Sequence, residues 1–199
     1  VYIFRNYRLV KAIAAVLSGM ALGVAGLQMQ TLFRNPLADP FILGINSGAS
    51  LGVALVVMGT GVLSGTFISG LTTLGDISLA VAASIGAGLV LGLILLVSRW
   101  VRNVTTLLIL GLMFGYATNA LVSLLIYFSR PDRVHAFMIW SYGSFGGVTW
   151  NQLRVMAPVI LIGIGLVMFL PKALNVLLLG EDYAKTMGLN TKRMRVMIL

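Results

Sequence analysis

The 199-residue sequence contains no cysteine, a single histidine and only five acidic residues. The lack of cysteine excludes disulfides, thiol catalysis and cysteine-ligated metal within these residues. Charged residues make up 10% of the chain and apolar residues 59%, whereas a soluble domain has about 25% charged residues. So few charges cannot cover a water-soluble globule of this size. The composition therefore predicts a polytopic membrane protein.

The formal net charge of +9 raises the question of nucleic-acid binding. Such binding needs a basic face on a soluble fold, whereas the basic residues here lie between long apolar runs. We therefore predict a lipid bilayer, and no nucleic acid, as the surroundings of the chain. Basic residues in the predicted connections, eight on one face against six on the other, favour a cytoplasmic C-terminal end.

Long uncharged runs predict five membrane-spanning helices, because about 20 apolar residues cross a bilayer. They lie at residues 12–33, 47–70, 77–98, 104–128 and 155–170. Residues 134–152 are uncharged but contain glycines and two tryptophans, so we predict an interfacial segment with a short helix near residues 136–142. The expected fold is an all-α transmembrane helix bundle forming one domain over residues 1–199.

The first four predicted spans each carry a Gly-x-x-x-Gly pair, which allows helix backbones to approach closely. The pairs are Gly19/Gly23, Gly61/Gly65, Gly88/Gly92 and Gly111/Gly115. We therefore expect a tightly packed bundle.

The sequence lacks the groups that would power transport from within the chain. All acidic residues (Asp39, Asp76, Asp132, Glu181 and Asp182) fall outside the spans, whereas proton-driven carriers place ionisable groups inside the membrane. There is no Gly-x-x-x-x-Gly-Lys-Ser/Thr loop to bind ATP phosphates. Energy for uphill transport would come from another subunit or from an ion.

Two stretches outside the spans are informative. In residues 35–40, two prolines end the first helix and hold the connection extended, and Asn46 or Ser47 is expected to cap the next helix. Residues 180–189 form a predicted short amphipathic helix, with acidic residues at its start and Gly188 at its end. Such a helix docks into the groove of a soluble partner or lies on the lipid surface.

Together these stretches resemble the FecCD/cobalamin-type permease family of ATP-binding-cassette importers for iron–siderophore, haem and cobalamin. The matching residues are Ala25–Pro40, Leu43-Gly44, Ser47–Ala49, Trp140, Gly143-Ser144, Trp150, Gly180-Glu181, Ala184 and Gly188. Family members have roughly ten spans, so the chain resembles their second to sixth spans with the coupling helix, as a fragment.

The resemblance implies a role for each matching segment. The coupling helix of the family presses into a cleft of a separate ATPase subunit, which here assigns Gly180, Glu181, Ala184, Lys185, Gly188 and Leu189. The cytoplasmic gate of the family assigns Asn35, Pro36, Leu37, Thr105 and Thr106. An outer Arg-Leu-Pro-Arg stretch that receives a periplasmic or lipid-anchored substrate-binding protein reads Arg8-Leu9-Val10-Lys11 here, which assigns Arg8 and Lys11.

The resemblance also implies a permease homodimer in the bacterial cytoplasmic (inner) membrane. It implies alternating access without catalytic residues, metal ligands or a cofactor in this chain.

Other interpretations of the sequence remain open. Tyr116, Asn119 and Ser123 share one face of the fourth span and either line a pathway or form hydrogen bonds between helices. The alternative function is one half of an ion-coupled secondary transporter, which requires helices broken at mid-membrane. An intramembrane enzyme is disfavoured because no nucleophile–base pair lies within the spans.

Overall fold

The computed structural model describes residues 2–59, 73–98, 100–101 and 104–198. These residues form helices joined by turns and short loops, without strands, which confirms the predicted all-α class. After a π-helical turn at Phe4–Arg8, the helices are α1 Leu9–Phe33, α2 Ile45–Met58, α3 Thr73–Ser98, α4 Val104–Tyr127, α5 Pro131–Tyr142, α6 Trp150–Val167, α7 Pro171–Leu178, α8 Glu181–Thr186 and α9 Thr191–Ile198. A 3-10 turn at Pro40–Leu43 precedes α2.

Within the described residues, four helices are long and apolar enough to cross a membrane: Phe4–Phe33, Ser78–Ser98, Thr105–Tyr127 and Trp150–Val167. Most of their side chains are not buried within the chain, and Leu89 and Ile162 are among the exposed ones. Surfaces of this kind suit lipid or neighbouring helices and not water. They correspond to four of the five predicted spans.

The second predicted span is only partly described. Its helix α2 is apolar and has 14 residues, which gives a length of about 21 Å. Residues 60–70 of that span lie outside the described residues, and so do Gly61 and Gly65.

The chain divides into two compact units, which are described separately, so the single domain over residues 1–199 stays a prediction. The first unit comprises Val1–Pro40 and Ser144–Leu199. Here α1 packs against α6 through a buried apolar cluster formed by Val10, Ala14, Leu17 and Leu153.

Helix α6 begins five residues before the predicted span because Thr149 caps it. The Gln152 amide donates to Thr149 Oγ1 at 3.4 Å, and the Thr149 amide donates to Gln152 Oε1 at 2.8 Å. This reciprocal capping box pairs two amides at the helix start. Helix α7, which follows, lies against α1 and buries Leu174 and Leu177.

The second unit comprises Phe41–Gly143 and is centred on α2, which contacts α3, α4 and α5. Its buried cluster contains Val53, Ala54, Met58, Val122 and Phe137. Helix α5 covers the predicted interfacial helix but starts at Pro131, five residues earlier than expected. Proline suits the first helical position because its fixed φ is helical and its missing amide would have no partner there.

Helices α2 and α3 cross with their backbones in contact. A Cβ added to Gly86 would lie 2.1 Å from the carbonyl oxygen of Gly48, and one added to Gly52 would lie 2.2 Å from that of Ala82. Only glycine fits at these positions. The Gly48-x-x-x-Gly52 pair that makes this crossing was not among the predicted pairs, although the same spacing rule identifies it.

A second close approach joins the start of α2 to α4. Gly44 has φ +70°, and a Cβ there would lie 2.9 Å from the Gly115 amide nitrogen and 3.0 Å from the Gly111 carbonyl oxygen. The predicted pair Gly111/Gly115 therefore does pack closely. Because Gly44 is itself the N-cap of α2, the prediction that Asn46 or Ser47 caps this helix is wrong: both lie within its first turn.

The remaining predicted glycine pairs make no such contact. A Cβ on Gly19, Gly23, Gly88 or Gly92 would meet no described atom within 4 Å. In the described part of the chain these pairs lie on open helix faces.

Candidate functional site

Helix α1 ends in a strained turn at Arg34. This residue has φ +47° and ψ +40°, and it is the only non-glycine residue with a positive φ in the described chain. Its amide donates to the Thr31 carbonyl at 3.3 Å, and the Asn35 amide donates to the Gln30 carbonyl at 3.1 Å. This is the two-bond Schellman ending of a helix, whose left-handed position glycine normally occupies. A non-glycine residue there costs about 1–2 kcal/mol.

The predicted gate residues Asn35, Pro36 and Leu37 follow this turn directly. The Leu37 amide donates to Asn35 Oδ1 at 2.9 Å, and the Ala38 amide donates to the Asn35 carbonyl at 3.0 Å. Asn35 thus fixes the loop with both its side chain and its backbone. Ala38 is buried, whereas Leu37 is 84% exposed. The loop therefore projects an apolar side chain from a rigid base.

The other predicted gate residues, Thr105 and Thr106, lie in the first turn of α4 in the second unit. Both are exposed, and the adjacent Leu107 is fully buried and anchors this end of the helix. That these threonines act together with Asn35 and Leu37 stays a prediction.

The predicted coupling segment contains a helix, as expected, and its ends are fixed by two glycines. Gly180 precedes α8 with φ +125° and ψ +147°, a conformation essentially restricted to glycine. Gly188 follows α8 with φ +82°. The Leu189 amide donates to the Ala184 carbonyl at 2.9 Å, and the Gly188 amide donates to the Lys185 carbonyl at 3.0 Å. This is a second Schellman ending.

The two faces of α8 differ sharply. Ala184 has no exposed surface, so it packs inside the chain and offers nothing to a partner. Tyr183 and Met187, one turn apart, are 50% and 60% exposed. Lys185 and Gly188 are also exposed. A partner would therefore meet Tyr183, Lys185, Met187 and Gly188 but not Ala184.

The structure places the side chain of Arg34, the residue before the predicted gate loop, near Gly180, the first residue of the predicted coupling segment. A Cβ placed on Gly180 would lie 3.7 Å from Nη1 of Arg34. Both residues belong to the first unit. Sequence reasoning missed this approach because the two residues are far apart in the chain, although Arg34 lies within the matched stretch Ala25–Pro40.

The predicted docking residues lie at the N-terminal end of the first unit. Arg8 ends the π-helical turn, Lys11 lies in the first turn of α1, and both are exposed. Val10 and Ala14, on the other side of the helix, are fully buried against α6. The packing of α1 therefore turns the two cations outward.

The predicted pathway residues Tyr116, Asn119 and Ser123 all lie on exposed surface of α4. Tyr116 is 72% exposed, and the Ser123 hydroxyl donates to the Asn119 carbonyl of its own helix at 3.0 Å. The buried side of α4 instead carries Gly115 and Val122. These three residues form no hydrogen bond between helices that the described residues show.

The described residues contain no group of three or more His, Asp or Glu side chains arranged to hold a metal ion. His135 lies exposed on α5 without such neighbours.

Comparison with known proteins shows extensive similarity. The FecCD transport family model matches residues 1–199. The hemin transport system permease protein HmuU of Yersinia pestis is 36% identical over 199 residues, which cover 100% of this chain and 58% of HmuU. The vitamin B12 import system permease protein BtuC of Klebsiella pneumoniae is 37% identical over 183 residues, which cover 92% of this chain and 52% of BtuC.

A solved structure is similar as well. It shows an inward-facing conformation of a transporter described as of the metal-chelate ABC type, with a TM-score of 0.84 and 27% identity, over 98% of this chain and 59% of that one. The chain thus spans somewhat more than half the length of the relatives it matches.

Proposed function

Because the chain belongs to the FecCD transport family, we propose that it forms part of the permease subunit of an ATP-driven, binding-protein-dependent importer. The transported compound is an iron chelate (a siderophore complex), haem or cobalamin, in line with the relatives named for hemin and vitamin B12. The subunit acts by alternating access in the bacterial cytoplasmic membrane, without covalent chemistry. The observation that carries the proposal is helix α8, a polar helix beyond the last span with an exposed Tyr183–Met187 face.

Helix α8 is the proposed contact with a separate ATPase subunit, as part of the coupling segment Gly180–Leu189. The sequence has no phosphate-binding loop, so transport energy enters through a protein contact. An aromatic and a methionine side chain one helical turn apart suit an apolar groove on a partner. Ala184 is fully buried and packs α8 against the rest of the chain. A displacement of α8 by the ATPase would therefore also displace the permease residues around it.

The positions of Asp39 and Asp132 support this energy source over ion coupling. Asp39 lies between α1 and the 3-10 turn, and Asp132 lies in the first turn of α5, both exposed. Neither lies within the helices long enough to span a membrane. A carrier driven by protons or cations would place such groups inside the membrane.

The loop Asn35–Leu37, with Thr105 and Thr106, is the proposed cytoplasmic gate. Leu37 extends an apolar side chain from a loop that hydrogen bonds of Asn35 hold rigid. Apolar constrictions close pores by excluding water. A second copy of the permease would supply the opposing loop, so that two Leu37 side chains meet when the gate is shut.

The outer end is proposed to receive the substrate-binding protein. Exposed Arg8 and Lys11 attract acidic residues on that partner. Exposed Tyr116, Asn119 and Ser123 are proposed to line the pathway, since their face of α4 is turned away from the buried cluster of the second unit.

The test uses the full-length permease co-expressed with the ATPase subunit of its transporter. Replacing both Tyr183 and Met187 with alanine removes the exposed face of α8 while the buried Ala184 stays in place. Loss of a central interface anchor costs about 2 kcal/mol, which is about 30-fold in affinity. We expect ATPase co-purification and uptake of haem, cobalamin or ferric siderophore to fall together.

The matched control replaces Tyr2 and Met168, which are exposed to 73% and 74%, with alanine. This variant removes the same two side-chain types elsewhere and should retain the ATPase. If the α8 variant retains ATPase and uptake at the control level, α8 only rests on the lipid surface.

A further inference from the structure

Arg34 is placed in a backbone conformation that its own residue type disfavours. Its φ of +47° is that of a glycine position, and the two hydrogen bonds that end α1 require this conformation. Such strain persists only where the surroundings hold it, and it is frequent at sites of function. Glycine would adopt this backbone conformation at a lower energetic cost than arginine. The presence of arginine here therefore points to a role for its side chain.

The Arg34 side chain reaches the start of the coupling helix. Its Nη1 atom lies 3.7 Å from the position of a Cβ on Gly180, at the junction where α7 ends and α8 begins. A cation is favourable at the C-terminal end of a helix such as α7. The guanidinium thus lies near a helix end that favours positive charge.

The other end of Arg34 is bonded to the proposed gate. Asn35 follows it directly, and Asn35 holds the Leu37 amide with its side chain and the Ala38 amide with its carbonyl. A displacement of Arg34 therefore moves a loop whose internal geometry is fixed. Apart from Gly180 and its two chain neighbours, no other described atom lies within 4 Å of the Gly180 Cβ position.

We propose that Arg34 is a positioning residue that connects the coupling helix to the gate loop, so that a movement of α8 at Gly180 is passed to Asn35 and Leu37. The inference rests on the proposed function, because it needs α8 to be moved by an ATPase. Arg34 touches neither nucleotide nor transported compound. Its role is to transmit a movement of α8 to the loop Asn35–Leu37.

The test follows the gate directly. The 199 residues contain no cysteine, so Leu37→Cys, in a full-length permease freed of other cysteines, gives one thiol on the loop. The full permease–ATPase complex in lipid vesicles is labelled with a maleimide, with ATP and vanadate or without nucleotide. The parent should show a several-fold change in labelling rate between the two states.

Adding Arg34→Gly should reduce this change to less than twofold while the ATPase still co-purifies. Glycine suits the left-handed turn, so the variant should melt at the same or a higher temperature than the parent. Arg34→Lys keeps the charge but loses the planar fork, and should restore the nucleotide response in part. The control Arg193→Gly, at an exposed arginine of α9, should leave the response intact.

The outcomes separate the two proposals. If the parent responds to nucleotide and Arg34→Gly responds equally, the connection through Arg34 is refuted and the proposed function stands. If the parent binds no ATPase or shows no response, the proposed function fails, and the inference fails with it. A lost response together with a lowered melting temperature would also count against the connection, because it would show a structural role only.

Discussion

The contact between α2 and α3 allows a sharp test of the fold. A Cβ on Gly86 would lie 2.1 Å from the Gly48 carbonyl oxygen, 3.0 Å from the Gly48 carbonyl carbon and 3.0 Å from the Gly52 Cα. All three are backbone atoms, so no side chain can rotate away. Restoring an ordinary contact of about 3.4 Å requires the helices to separate by about 1.3 Å at this point. We therefore expect Gly86→Ala to disrupt the packing of the second unit.

The magnitude follows from packing energies. Overfilling a close-packed contact costs about 1–3 kcal/mol. Gly88 lies on the same helix two residues later and has no described atom within 4 Å of its Cβ position. Gly88→Ala should be neutral or stabilising by about 0.5–1 kcal/mol, because alanine favours helix. Because both variants exchange glycine for alanine in the same helix, this helix gain cancels, and the two should differ by about 1–3 kcal/mol.

The assay is denaturant unfolding of the full-length protein in mild detergent, followed by circular dichroism. Gly52→Ala, whose Cβ would lie 2.2 Å from the Ala82 carbonyl oxygen, should resemble Gly86→Ala. If Gly86→Ala is as stable as Gly88→Ala, the helices are not in backbone contact and the reasoning is refuted.

Three further predictions concern other parts of the chain. Arg8→Glu should slow association of the substrate-binding protein about tenfold at low salt and less at high salt, because salt screens the exposed charge. Stopped-flow binding measures the association rate, and Arg193→Glu is the control. Leu37→Cys should form a disulfide with the same residue of a second permease in the closed state, and failure to crosslink in every nucleotide state would remove Leu37 from the gate. Gly44→Ala combines a positive φ with Cβ contacts of 2.9 Å and 3.0 Å to α4, so it should abolish stable expression, and expression at the wild-type level would contradict this contact.

The sequence alone was sufficient for the helical class and for the positions of α3 and α4. Their long uncharged runs are bounded by charged residues, so composition locates them without any knowledge of packing. The first residue of α6 was harder to predict from the sequence. The capping residues Thr149 and Gln152 lie before the apolar run that marked the predicted span.

The sequence could not predict which face of each membrane helix packs against its neighbours. In a helix that is apolar all round, no periodicity marks the packed side. Gly88 and Gly92 therefore looked as suitable for close contact as Gly48 and Gly52, yet only the latter meet another backbone. In the polar helix α8, the family resemblance assigned Ala184 to the partner contact, whereas it is fully buried.

The sequence predicted the two segments of the candidate site but not how they are arranged in three dimensions. The motifs at residues 35–40 and 180–189 mark a loop and a short helix, and the structure shows both. The approach of Arg34 to Gly180 depends on how α7 turns the chain back towards the end of α1. No local pattern encodes such a contact between distant segments.

Helix α8 has only six residues, far fewer than the roughly 12–15 that an isolated helix needs in water. It persists because glycine turns fix both ends and because Ala184 is buried between them. The conformational entropy of this segment is therefore lost during folding of the chain and not during assembly. A protein that binds the Tyr183–Met187 face meets a preorganised surface, so more of the contact energy remains as affinity.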